Sequence, residues 1–299
     1  MKKVPIRCLY VLLVATCAAQ VHQKAAPHTE KTQPSCMHVQ DGAFHSAALD
    51  RDMKYRILLP CNYQTAAIHF PVLYLLHGLY GNYSNWDGYP KLRRYAGKYD
   101  LIVVMPDADD SWYTNSASDP KDKFEDYIAK DMVAEIDDKF RTVRSRRARA
   151  IAGISMGGYG AFKIALRYPD NFVFAGSLSG ALNAPQDLDA RQPSFRDQIL
   201  KVFGPAGSAV RADNNVFSML QSADSKNLPY IYLACGSADE FLPVNRQFAA
   251  QLASRGAAYE YHETPGAHQW DYWDRSLPAL LQAAAASATP YNRRRRVSQ

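Results

Sequence analysis

The sequence predicts an α/β fold built on a mostly parallel, doubly wound sheet with a small cap insertion. Two observations carry this reading. Short unbroken apolar runs recur at residues 71–76, 101–105, 149–153, 172–177 and 230–235. Runs of this length without polar alternation suit strands buried on both faces. Between them lie stretches with helical spacing, and regular alternation of strand and helix is the pattern of a parallel sheet.

Taken in chain order, residues 39–49 and 53–59 read as an opening hairpin around Asp50-Arg51-Asp52. The strand-like runs 71–76 and 101–105 follow. Residues 124–140 carry Phe124, Ile128, Met132, Ile136 and Phe140 at four-residue spacing, an apolar helical stripe. Residues 156–167 read as a helix that stops at Tyr168-Pro169, and 243–254 as one that opens with a proline in its first turn and ends before Gly256. Residues 258–262 form a last strand-like segment. The stretch 184–228 is longer than a simple crossover and is expected to form the cap over the sheet's C-terminal edge. No internal repeat or composition break divides the chain.

The chain has 299 residues, 47% of them hydrophobic and 21% charged, enough to bury a sizeable core. Its formal charge of +6 is concentrated at the ends. Lys2, Lys3, Arg7 and the run Arg293 to Arg296 account for seven positive charges, and without them the rest carries −1. A body with no net basic field is a poor partner for nucleic acid. Residues 1–20 read as an export signal, with a basic start, a short apolar stretch over 9–15 and small residues after it. That stretch is far shorter than the roughly 20 residues that span a bilayer, so a soluble secreted or periplasmic protein is expected, with no transmembrane segment. Cys17 leaves lipid anchoring as the lesser alternative. Residues 21–35 read as a linker, 36–286 as the domain and 287–299 as a basic tail.

Cys36, Cys61 and Cys235 remain beyond the leader. Cys36 precedes the first hairpin strand and Cys61 follows the second, so an antiparallel pairing would bring them together. A Cys36–Cys61 disulfide and two separate buried thiols are both open on this reading. No cysteine pair has metal-ligand spacing, and no cofactor or metal is expected.

The strongest chemical signal is Gly153-Ile154-Ser155-Met156-Gly157, a G-x-S-x-G turn between a buried-type strand and a helix. A strand that turns sharply into a helix crowds its own flanks, and Gly153 and Gly157 relieve that crowding. The turn lifts the Ser155 hydroxyl above the sheet, beside the positive end of the helix. A serine hydroxyl needs a base to take its proton, and the base needs a carboxylate to orient it. In the α/β-hydrolase fold the chain order is serine, acid, histidine. Downstream of Ser155 stand only His262, inside a strand-like segment, and His268, in a loop beyond it. His268 is the better candidate. Asp239 directly follows the 230–235 strand, with Glu240 as its rival. The backbone N–H of Met156 is the expected first oxyanion donor, and that of Leu79, in the loop after the 71–76 strand, the second.

These residues resemble the esterase D / S-formylglutathione hydrolase group, a relative of the antigen 85 mycolyltransferases and of feruloyl and acetyl-xylan esterases. The resemblance runs from about residue 55 to 280. It rests on Tyr74-Leu75-Leu76-His77-Gly78-Leu79, Gly81-Asn82-Tyr83-Ser84-Asn85-Trp86, residues 153–161, Cys235-Gly236-Ser237-Ala238-Asp239 and Gly266-Ala267-His268-Gln269-Trp270. It implies the triad Ser155, Asp239 and His268 with oxyanion N–H groups from Leu79 and Met156. It also implies a substrate cleft near Trp112 and Tyr113, although these aromatics equally suit core or cap packing. An exported chain departs from the group in one respect, since S-formylglutathione is a cytosolic metabolite. Four functions follow as expectations: hydrolysis of a small-molecule or carbohydrate-linked carboxylic ester through an acyl-enzyme, acyl transfer to a sugar hydroxyl, thioester hydrolysis of the S-formylglutathione hydrolase type, or ligand binding on an inactive hydrolase scaffold. The oligomeric state is not legible.

Overall fold

The computed structural model describes residues 35–88, 91–186, 188–191 and 195–288. The leader 1–20, most of the linker and the basic tail read from the sequence lie outside the described residues, apart from Ser35 and residues 287–288. Eight strands form one sheet: β1 (His38–Ser46), β2 (Arg51–Leu59), β3 (Val72–Leu76), β4 (Ile102–Pro106), β5 (Arg149–Ile154), β6 (Phe174–Leu178), β7 (Tyr230–Gly236) and β8 (Tyr259–Thr264). Their spatial order is β1-β2-β4-β3-β5-β6-β7-β8. The β1/β2 and β2/β4 pairs are antiparallel and every other pair is parallel.

Alternation along the central strands feeds two cores. Val72, Tyr74 and Leu76 of β3 face one, and Leu73 and Leu75 face the other. The helix Met156–Arg167 packs Tyr159 and Phe162 into the first core. The helix Trp270–Ser287 packs Leu277, Leu280 and Leu281 into the second. With helices on both faces, β3 through β6 are buried throughout, save for Arg149 at the start of β5, as their unbroken apolar runs predict.

Two helices differ from the sequence reading. Residues 124–140 are not one α-helix: Phe124–Asp126 and Val133–Lys139 flank a π-helical segment, Tyr127–Met132. A strict four-residue stripe drifts by about 40° per step on an ideal α-helix of 3.6 residues per turn. The wider π turn takes up part of that drift and keeps Phe124, Ile128, Met132 and Ile136 all buried in one core. The helix Trp270–Ser287 is additional to the sequence reading, and it accommodates Pro278 inside it.

The stretch 184–228 folds into short helices, Leu188–Arg191, Arg196–Phe203, Ala209–Asp213 and Val216–Ser222. They are clamped to the helix Met156–Arg167: Tyr159 donates to the Asn214 carbonyl at 2.7 Å, and its ring meets Phe203 edge-on. Cys36 and Cys61 are joined in a disulfide, with Cα atoms 5.1 Å apart, and Cys235 is free and buried. Among the described residues no helix is long and apolar enough to cross a membrane.

Candidate active site

Ser155 sits between the end of β5 and the first turn of the helix Met156–Arg167, with φ 53° and ψ −117°. Its backbone is held on both sides, as its N–H donates to the Leu178 carbonyl at 3.0 Å and its carbonyl accepts from Ala181 at 3.2 Å. The glycines of the motif are sterically required. A Cβ on Gly153 would lie 2.5 Å from the Gly157 backbone, and one on Gly157 would lie 2.5 Å from the His77 carbonyl oxygen.

His268 follows β8 and reaches Ser155: its Nε2 is 2.9 Å from Ser155 Oγ. Its Nδ1 lies 3.2 and 3.1 Å from the two carboxylate oxygens of Asp239. A carboxylate accepts only, so Nδ1 carries the proton and Nε2 is left to accept from the serine hydroxyl. Asp239 follows β7 and its side chain is fully buried. Burial raises its pKa, but the His268 hydrogen bond and charge, a hydrogen bond with Ser179 and the Phe241 N–H (2.9 Å) outweigh this and hold the carboxyl below the usual aspartate range. The structure therefore brings Ser155, His268 and Asp239 together. Glu240 instead lines the adjoining cavity. His262 remains on β8, 3.0 Å from Glu260, with no contact to Ser155.

The loop 77–81 lies beside Ser155, and a Cβ on Gly78 would be 3.5 Å from Ser155 Cβ. Among the described residues the backbone N–H groups of Leu79 and Met156 donate to nothing, the condition required of oxyanion donors. The loop is braced by buried His77. Its Nδ1 bonds the Gly78 carbonyl at 2.8 Å, and its Nε2 accepts from the Ala108 N–H at 3.0 Å. This leaves the ring neutral, and burial lowers its pKa. Trp86 donates to the Leu76 carbonyl at 3.0 Å and secures the start of the same loop.

Ser155 and His268 open into a cavity of about 480 Å³, within the roughly 300–1,000 Å³ range of small-molecule sites. Trp112, Phe195, Phe241, Trp270 and Trp273 make its walls largely aromatic, and Leu188 and Phe195 bring the cap into it. None of its described lining residues is lysine or arginine.

The expected cleft residue Tyr113 is corrected by the structure. Trp112 lines the cavity, but Tyr113 is fully buried behind it and its hydroxyl donates to the His77 carbonyl at 2.9 Å. With consecutive residues both at positive φ (54° and 52°), the two rings part, and only one faces the cavity. The sequence reading also misses Ser179 and Trp273. Trp273 donates to Ser179 Oγ at 3.0 Å and sets its ring perpendicular to His268 at 5.0 Å. No local motif marks this pair, because 94 residues separate its members; the HQWDYW stretch after His268 is the one available signal.

A mostly parallel sheet with helices on both faces, and a strained serine on the strand–helix turn at its centre, defines the class of α/β-hydrolase-fold serine hydrolases. The chain belongs to the family Esterase, described as "Putative esterase", whose model matches residues 46–284. It is similar to an acetyl esterase of Caldicellulosiruptor saccharolyticus, 29% identical over 213 residues that cover 69% of this chain and 79% of that one. It is also similar to a diacylglycerol acyltransferase/mycolyltransferase, Ag85A, of Mycobacterium gordonae, 25% identical over 79% of this chain and 76% of the other. Among solved structures it matches the fluorophosphonate-binding serine hydrolase F of Staphylococcus aureus, with a TM-score of 0.74 and 26% identity over 83% of this chain and 98% of that one. An S-formylglutathione hydrolase from the same organism matches with a TM-score of 0.69 and 25% identity, over 83% and 99%. The chain is a serine esterase, and the resemblance read from its motifs holds.

Proposed function

We propose that the protein is an exported carboxylic-ester hydrolase that works through Ser155, His268 and Asp239 by way of an acyl-enzyme. The observation that carries this reading is the unbroken hydrogen-bond line from Ser155 Oγ through His268 to the buried Asp239. In the first step Ser155 Oγ forms a bond to the ester carbonyl carbon while the Oγ proton passes to His268 Nε2. The carbonyl π electrons move to its oxygen, which the Leu79 and Met156 N–H groups receive. Collapse of this intermediate expels the alkoxide, which takes the proton from His268 and leaves the acyl group on Ser155. Water, deprotonated by His268, then repeats the sequence and releases the acid. Asp239 stays ionised and holds the imidazolium in register.

The described lining is largely aromatic and holds no lysine or arginine, which suits an uncharged ester better than a glutathione thioester, whose tripeptide carries two carboxylates beside one ammonium. Export is supported by the leader pattern and by the Cys36–Cys61 disulfide, a bond characteristic of oxidising compartments. Acyl transfer to a sugar hydroxyl would use the same three residues, with a sugar in place of water.

The test is hydrolysis of p-nitrophenyl esters from acetate to octanoate by wild type beside Ser155→Ala, with and without a sugar acceptor. Turnover that is lost in the variant, with free acid as the product, is the expected result. Equal rates from both folded proteins would remove Ser155 from the mechanism. Acylated sugar outrunning free acid would replace hydrolysis by transfer.

A further inference from the structure

Tyr113 occupies the space between the two oxyanion donors' supports. Its ring packs on the helix that follows Ser155: a Cβ on Gly160 would lie 2.5 Å from Tyr113 Cδ2, so that position has room for the ring only because it is glycine. Its hydroxyl reaches the other side and donates to the His77 carbonyl at 2.9 Å, at the root of the loop that carries Leu79. Its backbone stands at φ 52°, next to Trp112 at φ 54°, a conformation that persists only where surroundings enforce it. The enforcement comes from Lys163, one turn beyond Gly160. Lys163 is fully buried and donates to the Tyr113 carbonyl at 3.1 Å and to Thr114 Oγ1 at 3.0 Å, and its ammonium is paired with Glu125.

We propose that Tyr113 is a positioning residue for the oxyanion loop, a spacer that sets the Leu79 N–H against Ser155 and is itself anchored by Lys163. The proposal rests on the Ser155 reading above. The Met156 N–H moves with the helix and the Leu79 N–H with the loop, so the distance between the two donors depends on what joins helix to loop. Tyr113 adds a tether to that join through one ring and one hydroxyl, beside the direct packing of Gly157 on the His77 carbonyl. A misplacement of about 1 Å in such a site costs up to about 100-fold in rate. Because the donors act mainly on the charged oxygen of the tetrahedral intermediate, the loss falls on turnover and not on substrate binding.

The experiment compares wild type, Tyr113→Phe and Gly160→Ala. Each is quantified by active-site titration with a fluorophosphonate taken to completion, so that only folded, reactive enzyme is counted. Tyr113→Phe keeps the ring and removes the tether, and Gly160→Ala keeps the tether and displaces the ring. Expected for both is a kcat per titrated site reduced about 10-fold or more, with KM within about two-fold of wild type. The inhibition constant of an alkyl trifluoromethyl ketone, whose adduct places a charged oxygen in the same position, rises by a similar factor. Unchanged kcat per titrated site in both variants, with a lower melting temperature as the sole effect, would overturn the proposal and leave Tyr113 a packing residue. If Ser155→Ala retained wild-type turnover, the reading beneath the proposal would fall instead.

Discussion

Ser155 is held at φ 53° and ψ −117°, a region costly for any residue with a Cβ. Such strain amounts to about 1–3 kcal/mol and is kept only where the surroundings over-determine it. Two variants that both lack the hydroxyl separate strain from chemistry. Ser155→Gly is expected to unfold at a higher denaturant concentration than Ser155→Ala, by about 1 kcal/mol, since glycine relieves the strain and loses only part of the gain to its freer unfolded chain. Asp239 belongs to the same scale. Its folded pKa lies below its unfolded value of about 3.9. The stability it contributes is therefore complete above that value and is lost as pH falls through the lower folded pKa. Asp239→Asn is expected to flatten the stability loss below pH ~4, as read by denaturant titration at several pH values, and to lower kcat by about 10⁴-fold. The residues at these positions were legible in the sequence because each follows a strand: Ser155 after 149–153, Asp239 after 230–235, His268 beyond 258–262. Tyr113 was not, because the fate of two adjacent aromatics depends on backbone φ and not on residue type.

The strand–helix unit from β5 to Arg167 carries Ser155, the proposed nucleophile, and its small residues are its design constraint. A methyl group at Gly157 would meet the His77 and Leu76 carbonyls at 2.5 and 2.7 Å, both at the start of the loop that carries Leu79, a proposed oxyanion donor. Gly157→Ala is expected to lower kcat sharply even where the protein still folds, checked by kinetics beside circular dichroism. The same helix bears Lys163. Burial lowers the pKa of its ammonium to about 8, with Glu125 acting in the opposite sense. Removing one partner leaves the other buried with weaker compensation, since Arg167 is 3.6 Å from Glu125. Lys163→Met is expected to cost about 3–5 kcal/mol, and Lys163→Met with Glu125→Leu markedly less, in a double-mutant cycle read by chemical denaturation. Elements whose burial is uniform, β3 to β6, were read within two residues of their bounds. The segment 124–140 was read as a regular helix because a stripe of apolar residues reports a face and not the width of the turn beneath it.

At the scale of the molecule, the antiparallel β1–β2 pair closes one edge of the sheet, and the disulfide ties its two ends. Cys36 and Cys61 are 25 residues apart, a loop whose closure is worth about 3–4 kcal/mol on chain-entropy grounds. The Cys36→Ser/Cys61→Ser variant is expected to melt about 6–16 °C lower. Its kcat should be unchanged, because neither cysteine borders the cavity. The alternation of strand and helix and the existence of a cap were legible from the sequence. The aromatic walls of the cavity were not, since Trp112, Phe195 and Trp273 come from three distant segments that only the folded sheet brings together.

The proposed role of Ser155 as nucleophile is checked by reacting the purified protein with a fluorophosphonate and locating the adduct by peptide mass spectrometry. One phosphonyl group per chain is expected, on the peptide containing Ser155, with ester turnover lost in proportion and with labelling slowed by a large factor in His268→Asn. A stoichiometric adduct on another residue, or full labelling of Ser155→Ala, would contradict it.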